Sequence, residues 1–100
     1  MSIDTTMSAA ISGLHANAVR AGTAAFNVVN ANTEGFKARS VNVSSVVPVG
    51  VTASVATTGR TVDVAQEFVG MIQAEVGYAA NAQVIKAAEQ MTGSLLDLLA

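Results

Sequence analysis

Met7, Ile11, Leu14, Ala18, Ala21, Ala25 and Val28 follow one another at alternating spacings of four and three. That is the period of a helix that offers one seam to another helix, and it leaves no place for a strand in the first third of the chain. The last third repeats the pattern. Val64, Phe68, Met71 and Ile72 begin a stripe, and Val84, Ala88, Met91, Leu95 and Leu98 continue in threes and fours. Gly70, Gly77 and Asn81 fall between the two runs and read as interruptions, so the expectation is one long, slightly irregular helix whose halves are out of register.

Between these segments the period drops to two. Val41, Val43, Val47, Val49, Val51, Ala53 and Val55 share one parity, with Asn42, Ser44, Thr52 and Ser54 on the other. Alternation of β-branched and polar residues predicts extended chain with one half-buried face. Pro48 and Gly50 divide it, which favours a short β-hairpin over a single long strand. The predicted fold class is mainly α: N- and C-terminal helices paired as an antiparallel coiled-coil hairpin, with a short β-hairpin between them. One domain spans 1–100, divided into a helix over 4–31, a joint over 32–40, a β region over 41–58 and a helix over 62–99. Asp4, Thr5 or Thr6 is the expected cap of the first helix.

The predicted helices differ in length, roughly 40 Å against roughly 55 Å. The apolar share is 51 % but the aromatic share only 4 %, so each buried residue contributes little area and a single helix pair leaves apolar surface uncovered. A chain of this kind is expected to be marginal alone and inclined to assemble. Phe68 and Leu95, taken as buried in the coil, are expected to cost about 2–5 kcal/mol on truncation to alanine.

A net charge of −2 with no basic run argues against nucleic acid as a partner. No stretch approaches 18 consecutive apolar residues, and the start lacks the cationic and apolar blocks of a cleaved signal, so neither membrane insertion nor a cleaved leader is expected. There is no Cys. An enzyme needs a nucleophile with its base, tuned carboxylates or metal ligands. The single His15 lies off the seam with Asn17 and Arg20, and Glu67, Glu75 and Glu89 read with Lys86 as solvated helix positions. No catalytic, cofactor-binding or metal-binding residue is assigned.

The polar residues concentrate at one joint. Asn30, Asn32, Thr33 and Gly35 supply the chemistry that stops a helix and turns the chain: Asn bonds its neighbouring backbone, and Gly takes positive φ without strain. Gly35 is therefore expected at positive φ.

Joint and second helix together resemble a known family. NANTEGFKAR at 30–39 and VDVAQEFVGMIQAEVGYAANAQVIKAAEQMTGSLLDL at 62–98 are similar to the two terminal signatures of the bacterial flagellar axial proteins, the rod and hook family, and SAAISGL at 8–14 is similar to the family's start. The resemblance covers roughly the first 40 and last 40 residues. In this chain the joint motif is Asn30, Asn32, Thr33, Gly35, Phe36 and Lys37, and the C-terminal signature includes Phe68, Met71, Ile72, Tyr78, Asn81 and Ile85. The resemblance implies terminal helices that pair and line the core of a tubular polymer. It also implies a much larger middle domain, of which only Ala38 to Thr58 has a counterpart, so this is a reduced member.

The implied function is a structural subunit of the basal-body rod or hook, without enzymatic activity, that polymerises through its terminal helices. The alternative is a non-polymerising adaptor or assembly factor that docks onto axial proteins. Implied partners are copies of itself, other axial proteins and the flagellar type III export apparatus; the implied location is the periplasm-spanning rod or the hook. The expected assembly and core interface comprises the seam from Met7 to Val28 together with Phe68, Met71, Ile72, Tyr78, Asn81, Ile85, Met91, Leu95 and Leu98.

Overall fold

The computed structural model describes residues 2–99, in the order α1 (Ile3–Val29), β1 (Arg39–Ser45), β2 (Val51–Thr57) and α2 (Val64–Leu99). Ser2, rather than Asp4, Thr5 or Thr6, caps α1: its Oγ accepts from the Thr5 backbone N–H at 3.1 Å. Ser2 stands one residue before the helix in extended geometry, where a short hydroxyl reaches the otherwise unpaired N–H groups of the first turn. Asp63 does the same for α2, accepting from the Gln66 N–H at 3.2 Å.

The two helices are antiparallel, and three contacts fix their register. Gly13 meets Asn81, Asn17 meets Gly77, and Asn27 bonds Glu67; the paired numbers add to 94 each time. This register carries Ala10, Gly13, Asn17, Arg20, Ala24 and Asn27 of α1 along Glu67, Gly70, Ala74, Gly77, Asn81 and Ala88 of α2. Spacings of three and four run without a break from Ala10 to Asn27 on α1 and from Glu67 to Asn81 on α2, and Ala88 lies one heptad further on. Ala10, Ala24, Asn27, Ala74 and Ala88 are all buried, Ala74 to 1 % exposure.

Two expectations are corrected by this arrangement. The seam of α1 is not the stripe from Met7 to Val28 but lies about a quarter-turn from it, and Asn17, expected on the wet face, is half-buried along it; Arg20, on the same line, is exposed as expected. On α2, Gly70, Gly77 and Asn81 do not interrupt the heptad; they belong to it, and it continues through Ala88, Met91, Leu95 and Leu98. Large side chains mark the best hydrophobic stripe, but small ones mark where two backbones approach, and approach decides the pairing.

The glycines at the seam have a steric reason. A Cβ on Gly13 would stand 2.7 Å from the Asn81 Oδ1, and one on Gly77 would stand 2.8 Å from the Asn17 Nδ2. Each asparagine also donates to the glycine carbonyl one turn earlier on its own helix, Asn17 to Gly13 at 3.0 Å and Asn81 to Gly77 at 2.9 Å. GLHAN at 13–17 and GYAAN at 77–81 are thus one word used twice, facing itself across the pair.

β1 and β2 form an antiparallel hairpin in the register Val41↔Val55, Val43↔Ala53 and Ser45↔Val51, so the valine parity shares one face. That face lies on α1. The hairpin runs along α1: Asn27 holds the start of β1, while Ser12 Oγ accepts from the Val51 N–H at 3.0 Å, roughly 22 Å back along the helix. Gly50, at φ 103°, closes the turn against Ser12, where a Cβ would come within 2.8 Å of the hydroxyl. The molecule is a rod of 63 × 24 × 14 Å.

Candidate assembly surface

Asn27 is the structural centre of the joint. It is wholly buried, and its carboxamide behaves as a peptide group. Nδ2 donates to the Arg39 carbonyl at 2.8 Å and to Glu67 Oε1 at 3.0 Å, while Oδ1 accepts from the Arg39 N–H at 2.9 Å. One side chain thereby ties the end of α1, the start of β1 and the first turns of α2, and leaves none of its own polar atoms unpaired. Glu67, expected to be solvated, is half-buried because it completes this set.

Around this centre the joint motif folds as consecutive turns. Asn30 ends α1, its N–H bonding the Phe26 carbonyl at 3.1 Å and its Nδ2 donating to the same oxygen at 2.9 Å. Thr33 N–H returns to the Asn30 carbonyl, and Phe36 N–H to the Thr33 carbonyl. Gly35 has φ 77°, as expected. Phe36 packs on Phe26 with ring centroids 5.7 Å apart, and the Arg39 guanidinium lies over Phe26 at 4.4 Å, a cation held against a π-face. Asn30 and Phe36 are half-buried, whereas Asn32, Thr33, Gly35 and Lys37 are exposed. Ala38 is buried where the chain closes, bonding Arg60 and Thr58 across the base of the hairpin.

None of the residues expected at the assembly and core interface is fully buried. Met7, Leu14, Ala21, Val28, Met71, Asn81 and Ile85 are half-buried; Ile11, Ala18, Ala25, Phe68, Ile72, Tyr78, Met91, Leu95 and Leu98 are exposed. Phe68, at 50 %, and Leu95, at 52 %, do not carry the burial expected of them within one molecule. Ala18 and Ala21 come together with Met71 and Tyr78 along an open groove of about 480 Å³ between the helices. Ile72 lies outside that groove at 61 % exposure.

Past Ile3 the seam of α2 runs on without α1. Residues 92–99 extend roughly 12 Å beyond it, and Met91, Leu95 and Leu98 line a second open groove of about 440 Å³. These knobs are larger than the alanines and glycines upstream, and Leu98 is 83 % exposed.

Sequence reasoning passed over Ser12 and the repeated Gly-x-x-x-Asn, and took Asn27 only as one of the asparagines that stop the helix. The duplicated word was the available signal. Nothing local distinguishes Asn27 from Asn30 or Asn32, because its partners are 12 and 40 residues away.

His15 is exposed. Among the described residues no group of three His, Cys, Asp or Glu side chains could hold a metal ion, and no helix is long and apolar enough to cross a membrane. Residues 57–98, from the last residue of β2 through nearly all of α2, match the family model of the flagellar basal body rod FlgEFG protein C-terminal segment. No curated protein matches the chain.

Proposed function

Because the chain belongs, through residues 57–98, to the flagellar rod and hook family, we propose that it is a structural subunit of the rod or hook that polymerises through its two helices. An axial role in the flagellum follows from the family; the polymerising role is our reading. The observation that carries it is the pair of open apolar grooves, one between α1 and α2 and one on the projecting end of α2. The first lies along the helix pair and the second on the end of α2 that continues its seam, so a neighbour that covers either extends the same coil.

In this reading Met7, Ile11, Leu14, Ala18, Ala21, Ala25 and Val28 contribute the outer stripe of α1, and Phe68, Met71, Ile72, Tyr78, Ile85, Met91, Leu95 and Leu98 that of α2. Asn81 sets register inside the molecule. The contacts are made with further copies and with other axial proteins, after export by the flagellar type III apparatus. The contacts are head-to-tail, and in this reading their rotation does not close a ring, so assembly is open-ended.

Sedimentation velocity and electron microscopy across a rising concentration series test the reading. Species that grow without limit support it; a fixed small stoichiometry overturns it in favour of an adaptor that docks once. Deletion of the gene, followed by a swimming assay, tests the flagellar role separately.

A further inference from the structure

All three arginines of the chain converge on one groove that the assembly reading does not use. Arg20, Arg39 and Arg60 line a cleft of about 400 Å³ together with Val41, Gln66, Glu67 and Gln73. They come from α1, β1 and the turn after β2, and their side chains are exposed. The Arg39 guanidinium rests on Phe26 and the lining carboxylate of Glu67 accepts from Asn27, so in a chain with only five cations it is Arg20 and Arg60 that give the cleft a local positive field of the kind that draws an acidic ligand.

The wall of this cleft is the free edge of β1. In an antiparallel ladder the backbone groups of successive residues point alternately toward and away from the partner strand. The buried base of the hairpin sets the phase: Ala38 bonds toward Thr58 and Arg60, whereas the N–H and C=O of Arg39 point away from β2 and meet Asn27. Val41 and Val43 therefore direct their N–H and C=O outward as well. Asn27 occupies the first rung of this edge with a side chain that imitates a strand, and the next rungs are open to another chain.

We infer that the cleft between β1 and α2 is a docking site for an extended, acidic segment of a partner protein, which pairs with the outer edge of β1 from Val41 onward and places carboxylates near Arg20 and Arg60. Edge pairing supplies affinity through backbone hydrogen bonds, and the arginines supply the preference for acidic side chains. The site lies apart from the two apolar grooves, so it does not depend on the polymerising role.

The test uses the full chain and fluorescein-labelled synthetic peptides of alternating valine and glutamate, read by fluorescence anisotropy. The expected result is saturable binding, at least tenfold tighter than that of the matching valine–lysine peptide. Binding should weaken more than tenfold when alternate backbone nitrogens of the acidic peptide are methylated, and again in the Arg60→Glu and Arg20→Gln variants. Circular dichroism confirms that the variants are folded, and the methylated peptide leaves the protein itself unaltered. Failure of the acidic peptide to bind, equal binding of the two charge types, or undiminished binding of the methylated peptide would each overturn the inference.

Discussion

Removal of the Asn27 carboxamide exposes how much of the joint depends on one side chain. In Asn27→Leu, the backbone N–H and C=O of Arg39 and the Glu67 carboxylate lose their partner together. Glu67 is half-buried and can turn to water, so the two backbone groups of Arg39 carry most of the cost; at about 1–3 kcal/mol for each orphaned group the expected loss is about 2–4 kcal/mol, measured by urea denaturation. Gly13→Ala brings a methyl group into the Asn81 carboxamide and is expected to cost about 1–3 kcal/mol as an overpacking change. If the clash is the cause, the double variant Gly13→Ala/Asn81→Ala will recover part of that loss, and a double-mutant cycle reads the coupling. Gly35 differs in kind. No atom lies within 4 Å of where its Cβ would stand, so Gly35→Val is penalised by φ 77° alone, about 1–3 kcal/mol, and Gly35→Asn by less. Of these positions only Gly35 was legible beforehand, because a helix stop followed by a turn demands positive φ locally. Asn27, Gly13 and Asn17 owe their roles to residues far along the chain, and a single local window holds no trace of that.

At the level of elements, the period of three and four on both helices and the period of two between them were enough to give two helices, a hairpin and their antiparallel order. They were not enough to give the seam. Met7, Ile11 and Leu14 form the stronger hydrophobic stripe, and a ranking by side-chain size selects it. The helices instead meet where Ala10, Gly13, Ala24, Gly70, Ala74 and Gly77 let the backbones close in, and asparagine amides sit on glycine rather than breaking the contact. Single substitutions separate the two surfaces. Ala74→Leu, at 1 % exposure, should overpack the seam and destabilise the free molecule by about 1–3 kcal/mol. Phe68→Ala and Leu95→Ala, half in solvent, should each change the free molecule's stability by less than about 1 kcal/mol, in place of the about 2–5 kcal/mol that full burial would bring. Under the polymerising reading the same two variants should raise the concentration at which assembly begins, as measured by light scattering. Equal effects of Ala74→Leu and Leu95→Ala on unfolding would contradict this division.

The whole molecule is thin: a slab 14 Å in its shortest dimension has almost no interior, and its buried apolar set consists of alanines. Such a core leaves a small margin between folded and unfolded states. Thermal unfolding should therefore shift upward with protein concentration if neighbours cover the grooves, because any ligand of the folded form stabilises it by mass action; a midpoint that stays constant over a hundredfold range would speak against self-association. The projecting turns of α2 bear on the geometry of any such stack. One tip of the rod presents unsheathed leucines, while the other is sealed by the Asn27 bonds and the paired phenylalanines. The molecule is thus an arrow, and a column of these subunits laid end on end inherits a direction, with a leading face chemically unlike its trailing one.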